Sequence, residues 1–182
     1  MRFVPARLPA ALTCLALAVA VVEADRPVRA QGWVTDPGDA ENDAIRYSRS
    51  VPDDAVARLQ RRLDAGSTRL RFEGPQGYLR SVLRALQIPE SSQVLVFSKT
   101  SFQRAAISPE RPRAVYFGPE VHVGWVPGGE ILELAAADPV LGAVFYTLRQ
   151  APGGAPRFER RFRECLSCHD VSSTGGVPGF LM

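Results

Sequence analysis

Histidine and cysteine are scarce in this chain of 182 residues, which contains two histidines and three cysteines. A structural zinc site built on a Cys-x-x-Cys pair needs a second pair of ligands. Outside residues 165–169, the chain offers only Cys14, in an apolar N-terminal segment, and His122. This shortage of ligands disfavours a structural zinc site.

The chain also lacks a strong charge of either sign. Its 22 basic and 19 acidic residues give a formal net charge of +3 at neutral pH. Basic residues do not alternate with aromatic residues in the pattern of a nucleic-acid-binding surface. We therefore expect no nucleic-acid partner.

Long apolar runs are absent except at the N-terminus, which has the three parts of a secretory signal peptide. Arg2 and Arg7 form a short basic region, residues 10–22 are apolar, and residues 22–24 present short side chains to a signal peptidase. The run is too short for a membrane span. We predict a signal peptide at residues 1–24, a periplasmic or otherwise exported protein, and no stable membrane span after cleavage. An uncleaved signal anchor is the alternative.

Two cysteines and one histidine form the sequence Cys-Leu-Ser-Cys-His at residues 165–169. This spacing is the attachment signature of c-type haem. Residues three apart in a helical turn lie on one face, so Cys165 and Cys168 can each bond one vinyl group of the porphyrin. His169 follows on the same side and can ligate the iron as the proximal ligand. The motif predicts one covalently bound haem c.

Aromatic residues precede the motif at helical spacing. Phe158, Phe162, Cys165 and His169 lie at i, i+4, i+7 and i+11, which is typical of one helical face. We expect a haem-bearing helix with the two phenylalanines as an apolar wall. His122, the only other histidine, is the candidate for a distal iron ligand. Its alternative role is that of a surface or hydrogen-bonded strand histidine.

Two other uses of the motif stay open. A Cys-x-x-Cys pair without haem is typical of a thiol oxidoreductase, but a thioredoxin-like dithiol needs a strand before it and a helix after it. A haem without a certain sixth ligand is typical of a haem enzyme or of a gas or redox sensor. Ahead of both alternatives, we predict a periplasmic c-type cytochrome that transfers single electrons with a redox partner protein, whose identity the sequence does not give.

The rest of the chain divides by composition. We predict a polar tail at residues 25–50 and an α+β domain at residues 51–150. A linker rich in proline and glycine follows at residues 151–157, and the haem-attachment segment is expected at residues 158–182. Apolar periodicity predicts helices at residues 51–66 and 75–87. Short β-rich runs predict strands, at residues 68–72, 93–97, 114–117, 121–126, 131–135 and 143–148. Short connections favour a mostly antiparallel sheet, so the fold class is α+β, with two helices against that sheet and a haem-bearing helix after it.

The segment FERRFRECLSCHDVSSTGGVPGF, residues 158–180, resembles exported bacterial cytochrome c domain proteins. Residues 98–139 are similar to the amino-terminal region of a group of these proteins. The resemblance implies thioether bonds at Cys165 and Cys168 and axial ligation by His169. Small cytochromes c carry this motif near their start, whereas 13 residues follow His169 here. We therefore expect the chain to be the amino-terminal part of a longer protein, with Met182 as a remote candidate for an iron ligand.

Overall fold

The protein, seen in a computed structural model that describes residues 39–180, has an antiparallel sheet of six strands and three α-helices. This architecture confirms the predicted α+β class and the antiparallel sheet. The predicted signal peptide, residues 1–24, and Met182 lie outside the described residues.

The six strands follow one another across the sheet in chain order, and each is antiparallel to the next. They are β1 (Val94–Val96), β2 (Arg113–Phe117), β3 (Val121–Trp125), β4 (Ile131–Asp138), β5 (Gly142–Arg149) and β6 (Phe158–Arg161). The helices are α1 (Ala55–Asp64), α2 (Leu79–Ala85) and α3 (Arg163–His169). Short turns join β2 to β3, β3 to β4 and β4 to β5, and such short connections favour antiparallel pairing.

The sheet has two different faces because successive side chains along a strand point in opposite directions. Val123, Leu134 and Tyr146 lie on the first face, in one apolar cluster with residues of α1 and α2. Residues between them, such as His122 and Ala135, lie on the second face. The predicted helices thus cover the first face, whereas the C-terminal part of the chain and the loop at residues 101–103 contact the second face.

The prediction of a helix that starts at Phe158 is wrong for residues 158–161. Residues 158–161 form β6, which pairs with β5 through Leu148↔Phe158 and Phe145↔Arg161. Phe158 is buried in the main core, and the helix begins only at Arg163. Residues 158–161 form backbone hydrogen bonds with the edge of β5. This pairing between distant parts of the chain outweighed the helical spacing of the apolar residues.

The segment before α1 differs from the polar tail predicted there. Within residues 39–50, Ala40, Ile45 and Tyr47 are buried. The hydroxyl of Tyr47 donates a hydrogen bond to the carbonyl of Ala143 at 2.9 Å. Part of the predicted tail is therefore part of the core.

Two connections complete the fold. The strand predicted at residues 68–72 is wrong, since this stretch is a loop in which the backbone N–H of Arg71 donates to the hydroxyl of Ser81 at 2.9 Å. The predicted linker, residues 151–157, is a loop that joins β5 to β6. Because β6 belongs to the same sheet, the motif-bearing segment continues the domain directly.

Candidate haem-attachment site

The Cys-x-x-Cys-His motif lies on α3, which starts directly after β6. The chain turns at Phe162, whose carbonyl accepts hydrogen bonds from the backbone N–H groups of Cys165 and Leu166 at 3.1 and 2.9 Å. Cys165, Cys168 and His169 therefore share a single short helix. Their positions i, i+3 and i+4 place them on neighbouring parts of its surface.

The two thiols have different surroundings. Both are free of disulfide bonds; Cys165 is half-buried and Cys168 is exposed. Burial raises the pKa of the Cys165 thiol to about 12, and the carboxylates of Glu164 and Glu133 contribute in the same direction. Since Glu133 belongs to β4, Cys165 lies near the second face of the sheet, whereas Cys168 lies at the surface.

This difference predicts an order of alkylation at pH 8 for protein made in a reducing compartment. A thiol with a pKa of about 12 is ionised in only about one molecule in ten thousand at that pH, because the thiolate fraction falls tenfold per pH unit below the pKa. We expect iodoacetamide to label Cys168 at least ~10-fold faster than Cys165. The labelling rate of Cys165 should rise with pH through the alkaline range. Peptide mass spectrometry at timed intervals measures both rates.

Denatured protein is the control for this experiment. Unfolding removes the burial of Cys165, so both cysteines should then be labelled at similar rates. Faster labelling of Cys165 than of Cys168 in the folded protein would contradict the described placement of α3 on the sheet.

The ring of His169 is held in one orientation by two neighbours. Its Nδ1 lies 2.8 Å from the carbonyl oxygen of Gly179, and the ring packs against Phe145 with centroids 4.6 Å apart. A carbonyl oxygen only accepts hydrogen bonds, so Nδ1 carries the proton in this contact. In the neutral imidazole, the lone pair is then on Nε2. Metal-ligating histidines have this same arrangement, with one nitrogen on the metal and the other donating to a carbonyl.

The segment that supplies Gly179 folds back on the second sheet face. We call residues 171–180 the C-terminal strap. Its Pro178 carbonyl accepts a hydrogen bond from the backbone N–H of Ala143 at 2.7 Å, and the N–H of Gly179 donates to the carbonyl of His169 at 2.9 Å. The strap thus connects α3 to the start of β5.

Gly142 makes room for the strap, and this predicts a specific effect of Gly142→Ala. The backbone φ of Gly142 is +72°, and a β-carbon there would collide with the Pro178 carbonyl and the Val177 side chain. Strain at positive φ is expected to cost about 1 kcal/mol, and the collision a further ~1–3 kcal/mol. Urea unfolding gives the total, and limited proteolysis should show faster cleavage within the strap.

Gly128→Ala is the matched control. Gly128 has the same φ of +72°, but no atom lies within 4 Å of the position of an added β-carbon. This variant should lose only the ~1 kcal/mol that positive φ costs. Equal losses in the two variants would show that the strap does not pack against β5 as described.

His122 lies on the second face of the sheet, in β3. Its ring contacts Phe117 and Phe180, with centroid distances of 4.8 and 4.9 Å. Burial lowers the pKa of His122 and so favours its neutral imidazole. The structure therefore brings the predicted distal candidate to the same sheet face as Phe145, on which His169 packs.

The aromatic wall predicted from the helical spacing is wrong. Phe158 is buried in the main core. Phe162 packs edge to face on Tyr47 at 6.0 Å and on the guanidinium of Arg160 at 4.6 Å. The phenylalanines that contact the two histidines are instead Phe145, which packs on His169, and Phe117 and Phe180, which pack on His122. Sequence reasoning missed all three because their positions depend on strand register and on the path of the strap.

Within residues 39–180, no three side chains of His, Cys, Asp or Glu form a group able to hold a metal ion. None of the helices in that part of the chain has the length and apolar character that a membrane crossing demands. No protein family, no curated protein and no solved structure matches this chain.

Proposed function

We propose that this protein is an exported c-type cytochrome, which binds one haem covalently through Cys165 and Cys168 and transfers single electrons to or from a redox partner protein. The observation that carries the proposal is the hydrogen bond between Nδ1 of His169 and the carbonyl of Gly179. His169 lies on the same short helix as two free thiols, those of Cys165 and Cys168. This bond assigns the lone pair to Nε2, the nitrogen that would ligate iron.

The residues present fit a c-type haem by type and by spacing. Cys165 and Cys168 are reduced and separated by one helical turn, which suits two thioether bonds to one porphyrin. When bound, haem supplies a one-electron iron couple, and the axial ligand and the burial of the group set its potential.

Each neighbour of His169 has a separate part in this function. The carbonyl of Gly179 accepts a hydrogen bond from the Nδ1–H group of His169 and so fixes the tautomer of the ring. Phe145 packs against the imidazole and limits its rotation. An imidazole oriented before it meets the iron loses less entropy on ligation.

The properties of Cys165 disfavour this residue as the attacking thiol of a dithiol oxidoreductase. A dithiol oxidoreductase attacks its substrate with an accessible thiol whose pKa is lowered. Cys165 is half-buried and its pKa is raised to about 12. The haem-free thiol oxidoreductase is therefore the weaker proposal.

A haem enzyme or sensor is the other alternative, and it differs from the electron carrier in the sixth ligand of the iron.

The test is covalent haem in the exported protein. The complete chain is expressed with haem-attachment machinery, recovered after export, denatured, and separated on a gel stained for haem. We expect a haem-stained band at the mass of the protein. An exported and folded protein that carries no haem after denaturation would overturn the proposal.

A further inference from the structure

We propose that a second copy of this chain binds through β1, so that two sheets join edge to edge into one continuous sheet. This inference goes beyond the proposed function, and it does not require bound haem. The binding site is the outer edge of β1 (Val94–Val96), the first strand of the sheet, which pairs with β2 alone among the strands of residues 39–180. We call residues 93–97 the edge segment.

The hydrogen bonds of β2 show which of its backbone groups point towards β1. The N–H of Gly118, directly after β2, donates to the carbonyl of Val121 at 2.8 Å, so Gly118 directs its backbone groups towards β3. Successive residues of an antiparallel strand direct these groups to opposite sides. Phe117 and Val115 therefore direct theirs towards β1. In agreement, the N–H of Phe117 donates at 2.9 Å to the hydroxyl of Ser92, which precedes β1.

Leu95 is left with backbone groups that point away from β2. Val94 pairs with Val115, so the N–H and the carbonyl of Val94 are directed at β2. Leu95 follows Val94 and therefore presents its N–H and carbonyl at the outer edge. Gln93 and Phe97 share this orientation, because each lies two positions from Leu95. A row of such groups at a sheet edge is a template for another strand.

The side chains of the edge segment are apolar and exposed. Val94 and Leu95 are 51% and 52% exposed, and Phe97 is 57% exposed. Leu95 pairs with Ala114, a member of the main core, so an added strand would extend that core. Edge strands that face water are commonly protected by charged residues or proline, and residues 91–98 contain neither. The composition of this edge is therefore that of a strand with a partner on each side.

The charges that flank β1 favour a second copy as this partner. Glu90 and Lys99 are the nearest charged residues before and after the strand. An antiparallel second copy brings the acidic end of each edge segment to the basic end of the other, whereas a parallel copy would bring like charges together. The present partners leave this attraction in place: Lys99 donates to the carbonyl of Ile107 at 3.1 Å, which does not neutralise it. Glu90 lies 3.8 Å from Arg80 at an exposed position, where ion pairs are weak.

The outward backbone groups select a symmetric register. With Leu95 opposite Leu95 of the second copy, these two residues exchange N–H···O bonds, and Gln93 faces Phe97 at either side. A twofold axis passes through the central pair, so the contact is self-complementary and closes at two copies. The edge segment is short, and its contact area lies below the ~1,200–2,000 Å² of stable interfaces. We therefore expect a dimer that dissociates on dilution.

The experiment measures the mass of the complete chain in solution. Sedimentation velocity is run over a series of protein concentrations, under reducing conditions that prevent dimers linked by disulfide bonds. The mass should rise from that of one chain to that of two as the concentration increases. A chain that stays monomeric over the whole series would overturn the inference.

Two substitutions of Leu95 test the role of the edge. Leu95→Pro removes an N–H that β2 does not use, and proline is tolerated on an edge strand in this position. Since each copy loses a donor to the other, the dissociation constant should rise at least ~10-fold. Leu95→Lys keeps the backbone and places two positive charges opposite each other at the twofold axis, and it should weaken the dimer by at least as much. Circular dichroism and urea unfolding verify that both variants stay folded.

Val140→Lys is the matched control. Val140 is an apolar residue of similar exposure, 58%, and it lies in the turn between β4 and β5, away from β1. This variant carries the same added charge as Leu95→Lys and should dimerise as the wild type does. Equal weakening by the two lysine substitutions would overturn the assignment of the contact to β1.

The remaining outcomes also decide the inference. A dimer that is unchanged in Leu95→Pro and Leu95→Lys would place the contact elsewhere and overturn it. A monomeric wild type that loses stability on Leu95→Pro would mean that another segment of the same chain covers the edge, which also overturns it. The presence or absence of covalent haem, which tests the proposed function, has no bearing on these results.

Discussion

The double variant Cys165→Ala, Cys168→Ala is expected to carry no covalent haem after export. In the proposed function each thiol would supply one thioether bond, so removal of both would leave only the coordinate bond from His169, which denaturation breaks. The measurement is haem staining of a denaturing gel, combined with the intact mass of the protein. The expected change is complete loss of the haem mass from the variant.

The single variants and a neighbouring control sharpen this result. Cys165→Ala and Cys168→Ala should each keep at most one thioether bond and show reduced staining. Ser167 lies between the two cysteines and is exposed, with a hydrogen bond from its hydroxyl to the carbonyl of Glu164. Ser167→Ala should therefore stain as strongly as the wild type. Full staining of the double variant would show that haem is attached elsewhere or is not attached by thioether bonds.

Replacement of Asp54 by alanine is expected to lower the free energy of unfolding by about 3–4 kcal/mol, as the sum of a lost helix cap and an unsatisfied buried hydroxyl. Asp54 is fully buried. One carboxylate oxygen accepts the backbone N–H groups of Val56 and Ala57 at 2.7 and 3.0 Å, which caps α1. The other accepts from the hydroxyl of Tyr146 in β5.

The hydrogen bond from the Tyr146 hydroxyl to Asp54 joins the sheet to the residue that caps α1. Burial, together with the adjacent carboxylate, raises the pKa of Tyr146 well above its usual value, so the hydroxyl stays protonated and keeps donating. Tyr146→Phe removes this one bond and should cost about 1–2 kcal/mol. The difference between the two variants then gives the contribution of the helix cap.

Urea unfolding followed by circular dichroism measures these losses, and Asp64→Ala is the control. Asp64 is exposed at the other end of α1 and accepts one side-chain hydrogen bond, from Gln60. Its replacement should change stability by no more than about 0.5 kcal/mol. A similar small change for Asp54→Ala would mean that the buried cap does not hold α1 to the sheet.

Local sequence patterns predicted much of this protein correctly. The positions of α1 and α2, and of the strands from β1 to β5, follow from apolar periodicity and turn residues. The proposal that Cys165, Cys168 and His169 act together, which stays a prediction, also needs no tertiary information. The chemistry of that motif depends on spacings of three and one residues, and such spacings are set by the chain itself.

Other features could not be read from local patterns because their partners are distant in sequence. Residues 158–161 have helical spacing, yet the edge of β5 makes them a strand. Tyr47 belongs to a polar segment, yet the carbonyl of Ala143 and the guanidinium of Arg160 give it buried partners. In both cases a tertiary contact outweighed a weak local preference.

The sequence by itself determined the spacing of Cys165, Cys168 and His169 from which haem attachment is predicted, and the tertiary structure decided what surrounds them. Strand register places His122 and Phe145 in one row on the second face, and the C-terminal strap brings Gly179 to His169. A shift of one residue in register would move His122 to the opposite face. Register depends on hydrogen bonds between strands, and for this reason no local spacing of residues predicts it.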